Sequence, residues 1–372
     1  MNLVARIIDL AERGYVPDFL LRAGIRRLCR KRLAAVDQGS CEANQKRLEQ
    51  LVTQFNLGPV APLPEKANEQ HYEVPSELYE LVLGARRKYS CCVFPTDGMS
   101  LDAAEEAALR ETCERAGIED GQNILELGCG WGSLTLWMAE HYPDANITAV
   151  SNSASQREYI LAQAKSRGID RNLEVITCDM NDFDTDTRFD RVVSVEMFEH
   201  MRNYRELFKR ISNWLKSDGK LFVHIFCHRE FTYEFEDNGP SDWMSRYFFS
   251  GGVMPGDNLL LRFSGALKTA RHWRWSGTHY QKTSEAWLAN MDRNRKEIMP
   301  ILERTYGSED AERWFHRWRL FYLAVAELFG MDNGQQWWVS HYLFEKTEVN
   351  EFRDNRREVG MVERNSTDQP SD

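Results

Sequence analysis

The sequence has no CxxC pair: its eight cysteines (29, 41, 91, 92, 113, 129, 178 and 227) show neither a redox nor a zinc-ribbon spacing. No stretch reads as a signal peptide, and the two absences together suit a reducing cytoplasm. No run approaches the roughly 18 to 20 uninterrupted apolar residues of a membrane span. An excess of basic charge is also missing. The net charge of −10 argues against nucleic acid as the main partner, because phosphate binding needs a basic surface. HExxH and HxxEH zinc motifs are absent, and His224 and His228 in "HIFCH" fall in an expected strand, so no metal site is expected. There is no internal repeat.

What is present is the composition of a globular protein, 42% apolar and 28% charged over 372 residues. That length holds one large domain or two of ordinary size. Eleven tryptophans and 19 phenylalanines crowd the second half. Residues 1–57 have helical apolar spacing, broken at "GYVPD", and 58–70 ("GPVAPLPEKANEQ") read as a linker. The basic stretch "LLRAGIRRLCRKRL" (20–33) reads first as a solvated helix packed on the core, with a lipid surface as its second reading.

From residue 71 the pattern alternates. An Ala/Glu-rich helix (101–116) precedes the strands "QNILELGCG", "ANITAVSNS", "LEVITCD", "FDRVVSVEMF" and "GKLFVHIFC", separated by helical segments. This spacing predicts βαβ units and a parallel, doubly wound α/β sheet. Beyond Cys227 the alternation stops, and 231–280 is aromatic and irregular, more like a lid over about 229–305. Helices are expected at 283–305 and 309–329, then a strand, "WWVSHYLFEK", and a polar, disordered tail over 347–372. The expected domains are thus 1–70, 71–346 and that tail.

"ILELGCGWGS" places Gly128, Gly130 and Gly132 directly after the first strand, where glycine lets the backbone turn and approach a ligand beside the next helix N-terminus. A dinucleotide fingerprint would carry its third glycine at 133, which is Ser133. The pattern is an acid followed by GxGxG, starting at Glu126. At the end of the second strand, "SNSASQ" (151–156) has no acid for a nicotinamide dinucleotide ribose. Both departures suit S-adenosylmethionine, which has no pyrophosphate.

The order "KYSCC" (88–92), "ELGCGWG" (126–132), "SNSASQ", "CDM" (178–180) and "MFEH" (197–200) resembles the cyclopropane-fatty-acyl-phospholipid synthase superfamily of S-adenosylmethionine-dependent methyltransferases. "SVEMFEHMRNY", "FCHREFTYEFED", "DWMSRYFFSGGVMP", "HWRWSGTHYQKTSEAWL" and "VAELFG" look closer to its coclaurine N-methyltransferase branch. The resemblance implies a Rossmann-like class I methyltransferase sheet with N-terminal helices and a C-terminal aromatic lid. It implies S-adenosylmethionine held by Tyr89 and Ser90, by Gly128, Cys129 and Gly130, by Ser151, Asn152, Ser153 and Gln156 at the ribose, and by Asp179 and Met180 at the adenine. A turn-closing role is the plain alternative for Asp179. The partner is a small amine, and a homodimer stays open.

"SVEMFEHMRNY" then sets Glu196, Glu199 and His200 in an apolar run. An amine arrives as a cation, so a methyl-transfer site must attract it and remove its proton. Glu196 and Glu199 fit the first task, and Glu199 or His200 the second. Two close carboxylates raise one another's pKa. The plain alternative is a helix N-terminus carrying acids on the positive end of its dipole. A rival activity is C-methylation or cyclopropanation of unsaturated phospholipid acyl chains, in which a bound bicarbonate takes the proton. The resemblance places that bicarbonate at Cys91, Glu199, His224 and Tyr280. Glu196, Phe226 and Ala326 depart from the lipid enzymes' pattern, where a small residue, an aliphatic residue and often a cysteine stand.

Overall fold

The computed structural model describes residues 3–63, 75–239, 241–263 and 265–347. Part of the expected linker and the tail beyond 347 lie outside the described residues. The strands are β1 (Asn123–Leu127), β2 (Asn146–Ser151), β3 (Leu173–Thr177), β4 (Phe189–Val195), β5 (Leu215–His228), β6 (Tyr233–Glu234), β7 (Val253–Met254), β8 (Leu267–Trp275) and β9 (Trp337–Lys346). Seven of them form one sheet in the order β3-β2-β1-β4-β5-β9-β8. The first five are mutually parallel, and β9 and β8 close the edge antiparallel. β6 and β7 form a separate two-stranded ribbon.

The helices are α1 (Leu3–Glu12), α2 (Asp18–Val36), α3 (Cys41–Phe55), α4 (Ser76–Val82), α5 (Leu101–Ala116), α6 (Ser133–His141), α7 (Ala154–Arg167), α8 (Tyr204–Trp214), α9 (Trp243–Tyr247), α10 (Gly277–Arg293), α11 (Arg295–Tyr306) and α12 (Ala311–Gly330). β1 is buried from Ile124 to Leu127, as an inner strand covered on both faces must be. α5 starts where the Ser100 hydroxyl accepts from the Ala103 amide and stops at left-handed Gly117. Its buried face is small (Ala104, Ala108, Ala116), so the helix lies close to the sheet. The order reverses between β1, flanked by β2, and β4, which opens a crevice at the strands' carboxyl ends.

The expected α/β sheet is present, with three local differences. Residues 267–275, read as irregular, form edge strand β8. Its Lys268, Arg271 and Arg274 point outward, a common defence of a sheet edge that erases the apolar alternation of a strand. The single helix expected at 283–305 is two, α10 and α11, broken at Asn294. α10 begins early because Ser276 caps it, and its first residue must be glycine: a Cβ on Gly277 would meet the Trp337 and Phe329 carbonyl oxygens at 2.1 and 2.3 Å. Finally, no regular helix follows β4 at once. Phe198–His200 is a single 3-10 turn, and α8 starts only at Tyr204. Glu196 and Glu199 therefore sit outside a helix N-terminus, and the dipole reading of these acids loses its basis.

α1 and α2 lie on α12. Within the basic 20–33 stretch, Arg22 pairs with Glu285 (2.5 Å) and Glu327 (2.9 Å), Arg26 with Glu327 (2.6 Å) and Arg32 with Asp242 (2.9 Å). Arg27, Arg30 and Lys31 face outward with Phe19, Leu20 and Leu28. α3 supplies Leu48 and Phe55 to the core around Tyr204 and Phe208.

Asp257 ties the 229–263 region to the antiparallel edge. Its carboxylate accepts from Arg274 (2.5 Å), Trp338 (3.0 Å) and Ser340, with His272 Nε2 at 3.3 Å, and its carbonyl accepts from the Tyr342 hydroxyl. Burial pushes this carboxyl up, but the bonds from His272, Arg274, Ser340 and Trp338 outweigh it and hold the pKa well below the usual range. The folded value lies below the unfolded one, so the stabilisation is present above the ordinary carboxylate pKa and fades as pH falls through the folded value. Asp257→Ala leaves the buried Ser340 hydroxyl and the half-buried Trp338 N–H without this acceptor, while the exposed Arg274 returns to water, and it costs about 1–3 kcal/mol. Urea unfolding at neutral pH measures the loss, and a cost below about 1 kcal/mol would show the cluster to be ornamental.

Candidate active site

The glycine loop leaves β1 with Gly128 and Gly130 in left-handed backbone (φ +77° and +53°). The Gly128 and Cys129 amides both donate to the Val150 carbonyl (2.9 and 3.0 Å), which folds the loop onto β2. A Cβ on Gly128 would meet Met197 at 2.8 Å, whereas one on Gly130 would have nothing within 4 Å. Gly130 therefore presents bare backbone to open space.

Two cavities meet at this loop. One lies toward β2 and β3 and is lined by Val150, Ser151, Asn152, Cys178, Asp179, Met180, Met197 and Met201. The other runs toward β4 and the aromatic region, lined by Tyr89, Ser90, Cys129, Glu126, Glu196, Glu199 and Tyr280. Gly128, Gly130, Gln156 and His200 border both. The buried Gln156 Nε2 has no hydrogen-bond partner among the described residues, although its Oε1 accepts from the Ser151 hydroxyl (2.6 Å). Among the residues singled out in the sequence, Ser153 stands apart. It lines neither cavity, and its hydroxyl caps α7 by accepting from the Gln156 amide. Asp179 does both things weighed for it: one oxygen accepts from the Asn181 amide (2.6 Å) to close the turn, and the residue also borders the first cavity.

Several lining residues lay outside the sequence-derived set. Glu126, two residues before the first glycine, accepts from the Thr135 hydroxyl at 2.5 Å, and burial pushes its carboxyl up to about 8. Lys88 is buried beside "YSCC" and donates to the Ser90 hydroxyl and the Cys91 carbonyl, both at 2.6 Å. Phe226, Phe235, Phe249, Trp287, Phe321 and Phe329 wall the far end of the second cavity.

The two glutamates differ sharply. Glu196 turns back into the protein from a left-handed backbone (φ +49°) that is rare for a residue with a side chain. Its Oε1 accepts from the Cys91 amide (3.0 Å) and lies 3.1 Å from His224 Nε2, and its Oε2 accepts from the Tyr280 hydroxyl (2.7 Å). Three of the four positions that the resemblance assigns to a bicarbonate thus meet on this one carboxylate. Glu199 is buried, and neither of its carboxylate oxygens has a hydrogen-bond partner among the described residues. Burial and the neighbouring Glu196 charge raise its pKa well above the ordinary value. Burial also raises Glu196, but Lys88, the Cys91 amide and the Tyr280 hydroxyl oppose it. Of the pair, Glu196 has the donors that favour an anion, and Glu199, which has none among the described residues, has the higher proton affinity. His200 follows on the same turn, with its ring 4.8 Å from that of Phe249.

No helix among the described residues is long and apolar enough to cross a membrane. Residues 63–337 match the family model described as mycolic acid cyclopropane synthetase. An (S)-coclaurine N-methyltransferase of Thalictrum flavum subsp. glaucum is 36% identical over 348 residues, covering 92% of this protein and 96% of the relative. A crystal structure of coclaurine N-methyltransferase bound to N-methylheliamine and SAH superposes with a TM-score of 0.89 at 36% identity, covering 93% of this protein and 100% of that one. A cyclopropane synthase structure from Mycobacterium tuberculosis shares the fold at 21% identity and a TM-score of 0.64, covering 77% and 99%. The protein belongs to the mycolic acid cyclopropane synthetase family, on the branch that holds the coclaurine N-methyltransferases.

Proposed function

We propose that the protein is an S-adenosylmethionine-dependent N-methyltransferase acting on a small aromatic amine. The observation that carries this reading is the pair of glutamates. Glu196 fills a cradle of donors with its own carboxylate, and beside it Glu199 lies buried with no partner among the described residues, at the foot of an aromatic pocket. An unpaired buried carboxyl is costly unless a cation arrives. An ammonium with an aromatic body matches both the acid and the rings around it.

The loop fits S-adenosylmethionine, which supplies the methyl group as an electrophile. Gly128, Cys129 and Gly130 would back the ligand, with Ser151, Asn152 and the free Nε2 of Gln156 at the ribose and Asp179 and Met180 at the adenine. Tyr89, Ser90 and Glu126 would meet the amino-acid end. These residues orient the ligand and exclude water. The ligand of the coclaurine N-methyltransferase structure, SAH, supports the same choice. Residues 71–346 form the catalytic domain on this reading, with the preceding helices packed against its α12.

Glu199 receives the ammonium. Its raised proton affinity then suits it to take the proton and free the nitrogen lone pair, with His200 beside it at the mouth between the two cavities. Glu196 stays charged and strengthens the negative field. Alignment of donor and acceptor at near-contact distance supplies the remaining acceleration. Methylation at carbon on an acyl substrate is disfavoured, because the space a bicarbonate needs on the Cys91 amide, His224 and Tyr280 is taken by Glu196.

The test is transfer of isotope-labelled methyl from S-adenosylmethionine to two panels, one of aromatic and aliphatic secondary amines and one of phospholipid vesicles with unsaturated chains. Label is expected in an aromatic amine. Label in the acyl chains, with none in any amine, would overturn the reading.

A further inference from the structure

A buried line of side chains leads away from Glu196 through the sheet. His224 on β5 and His341 on β9 are direct partners in the antiparallel register. His341 Nε2 lies 2.9 Å from His224 Nδ1, and the Arg115 guanidinium, at the end of α5, lies 2.6 Å from His341 Nδ1. Arg115 is held by an ion pair with Glu111 and lies over the Trp273 and Trp275 rings, at 5.4 and 5.5 Å. Both histidines are fully buried.

The direction of every bond in this line follows from its outer end. A guanidinium only donates, so His341 Nδ1 is an acceptor. A neutral imidazole has one N–H, which places the His341 proton on Nε2, where it donates to His224 Nδ1. The same rule puts the His224 proton on Nε2, aimed at Glu196 Oε1 3.1 Å away. A second proton on either ring has no acceptor to meet. Burial holds both imidazoles well below their ordinary pKa, helped by Lys88 and Arg115 at His224 and by His224 and Arg115 at His341.

We infer that Arg115 and His341 are positioning residues which, by ordering the proton on His224, hold Glu196 as an anion and so set the charge of the amine site. The kinetic part rests on the amine-methyltransferase reading; the tautomer order does not. With the line intact, Glu196 receives donors from the Cys91 amide, His224 and Tyr280, and all three favour its anion against the pull of burial. Without the His341 donor, nothing reserves the His224 Nδ1 lone pair, and the Nε2–H form is held by Glu196 alone. Wherever the proton sits on Nδ1 instead, His224 Nε2 and Glu196 Oε1 face each other as acceptors, and Glu196 takes up a proton to join them. The site loses a negative charge, and Glu199 loses the neighbour that raises its pKa. The other titratable groups around Glu196 are Lys88, Cys91, Tyr280 and Glu199, and those around Glu199 are Tyr204, Tyr280 and, next in sequence, His200. Lys88 and His272 also face His341. None of these groups donates to the His224 Nδ1 position among the described residues, so they cannot replace the line.

Nitrogen-15 spectra of the full-length protein with labelled histidine read the tautomers directly. Both His224 and His341 are expected as neutral Nε2–H forms through the neutral range, and an Nδ1–H form or an imidazolium at either overturns the inference whether or not any amine is methylated. In the active enzyme, His341→Gln keeps an N–H at the Nε2 end and is expected to retain the wild-type pH profile. His341→Leu is expected to raise KM for the amine about tenfold and move the acid limb of kcat/KM down by about one pH unit. A folded His341→Leu protein with unchanged KM and limb, however much slower, overturns it. Should His341→Leu not fold, Arg115→Met, at the outer end, carries the same expectation and the same overturning result.

Discussion

Glu199→Gln lowers kcat/KM for the amine by about 10²–10⁴, the range for loss of a positioned base, and leaves the Kd of S-adenosylmethionine almost unchanged. The substitution keeps the shape of a buried side chain and removes only its capacity to ionise. The pH behaviour distinguishes this from general damage. Burial and the Glu196 charge raise the wild-type pKa, so kcat/KM climbs with pH as the carboxylate forms, with its acid limb well above the ordinary glutamate range near about 4.3. The variant lacks that limb. Stability moves the other way. A carboxyl whose folded pKa exceeds its unfolded value destabilises the protein increasingly as pH rises from the unfolded value through the folded one. Glutamine abolishes that penalty, so the variant should unfold at a higher urea concentration than wild type on the alkaline side. Full turnover in Glu199→Gln, or an unchanged acid limb, would move the base assignment to His200.

The parts of this molecule that the sequence displays are those dictated by local backbone demands. Gly128 and Gly130 announce themselves because left-handed turns after a buried strand need glycine. The parallel strands are visible because both their faces are covered. β8 is hidden because its outward lysine and arginines serve edge protection and mask its period. Ser151 and Ser153 have the same side chain two residues apart, and only the direction of the backbone into α7 makes one a pocket residue and the other a cap. The sequence assigns both glutamates to the cation and leaves Glu199 as a candidate base, but the difference in their surroundings is hidden for a similar reason. What separates them is supplied by residues 91, 224 and 280, brought together by the sheet and α10. The Arg115–His341–His224 line depends on the β5–β9 register, and nothing in the flanking sequence of any member signals it. Lys88 and Glu126 were nearer to hand: a lysine inside "RKYSCCVF" and an acid within β1 are both unusual in buried positions.

Glu196→Gly should reduce kcat/KM for cationic acceptors by about 10² or more, with a smaller loss for neutral acceptors, because a full charge is removed from a low-dielectric site. The backbone is expected to tolerate the change, since φ at 196 is +49°, a conformation that glycine adopts without strain. The variant leaves a buried hollow lined by the Cys91 amide, the Tyr280 hydroxyl and the His224 Nε2–H, each of which loses its acceptor. Buried donors left unmatched cost about 1–3 kcal/mol each, so the hollow has a strong appetite for a small carboxylate. Formate or bicarbonate added to the variant should therefore restore part of the activity in a saturable manner, while doing nothing for wild type, whose own carboxylate occupies the place. Rescue would show that the charge of Glu196, not its covalent tether, is what the amine site uses. It would also explain how a family with one set of donors can serve two kinds of acceptor: the same cradle holds either a diffusible anion or a tethered one, and tethering leaves Glu199, rather than Glu196, as the carboxylate that meets a cation. Equal losses for neutral and cationic acceptors with no response to either anion would leave Glu196 as a packing residue and remove its electrostatic role.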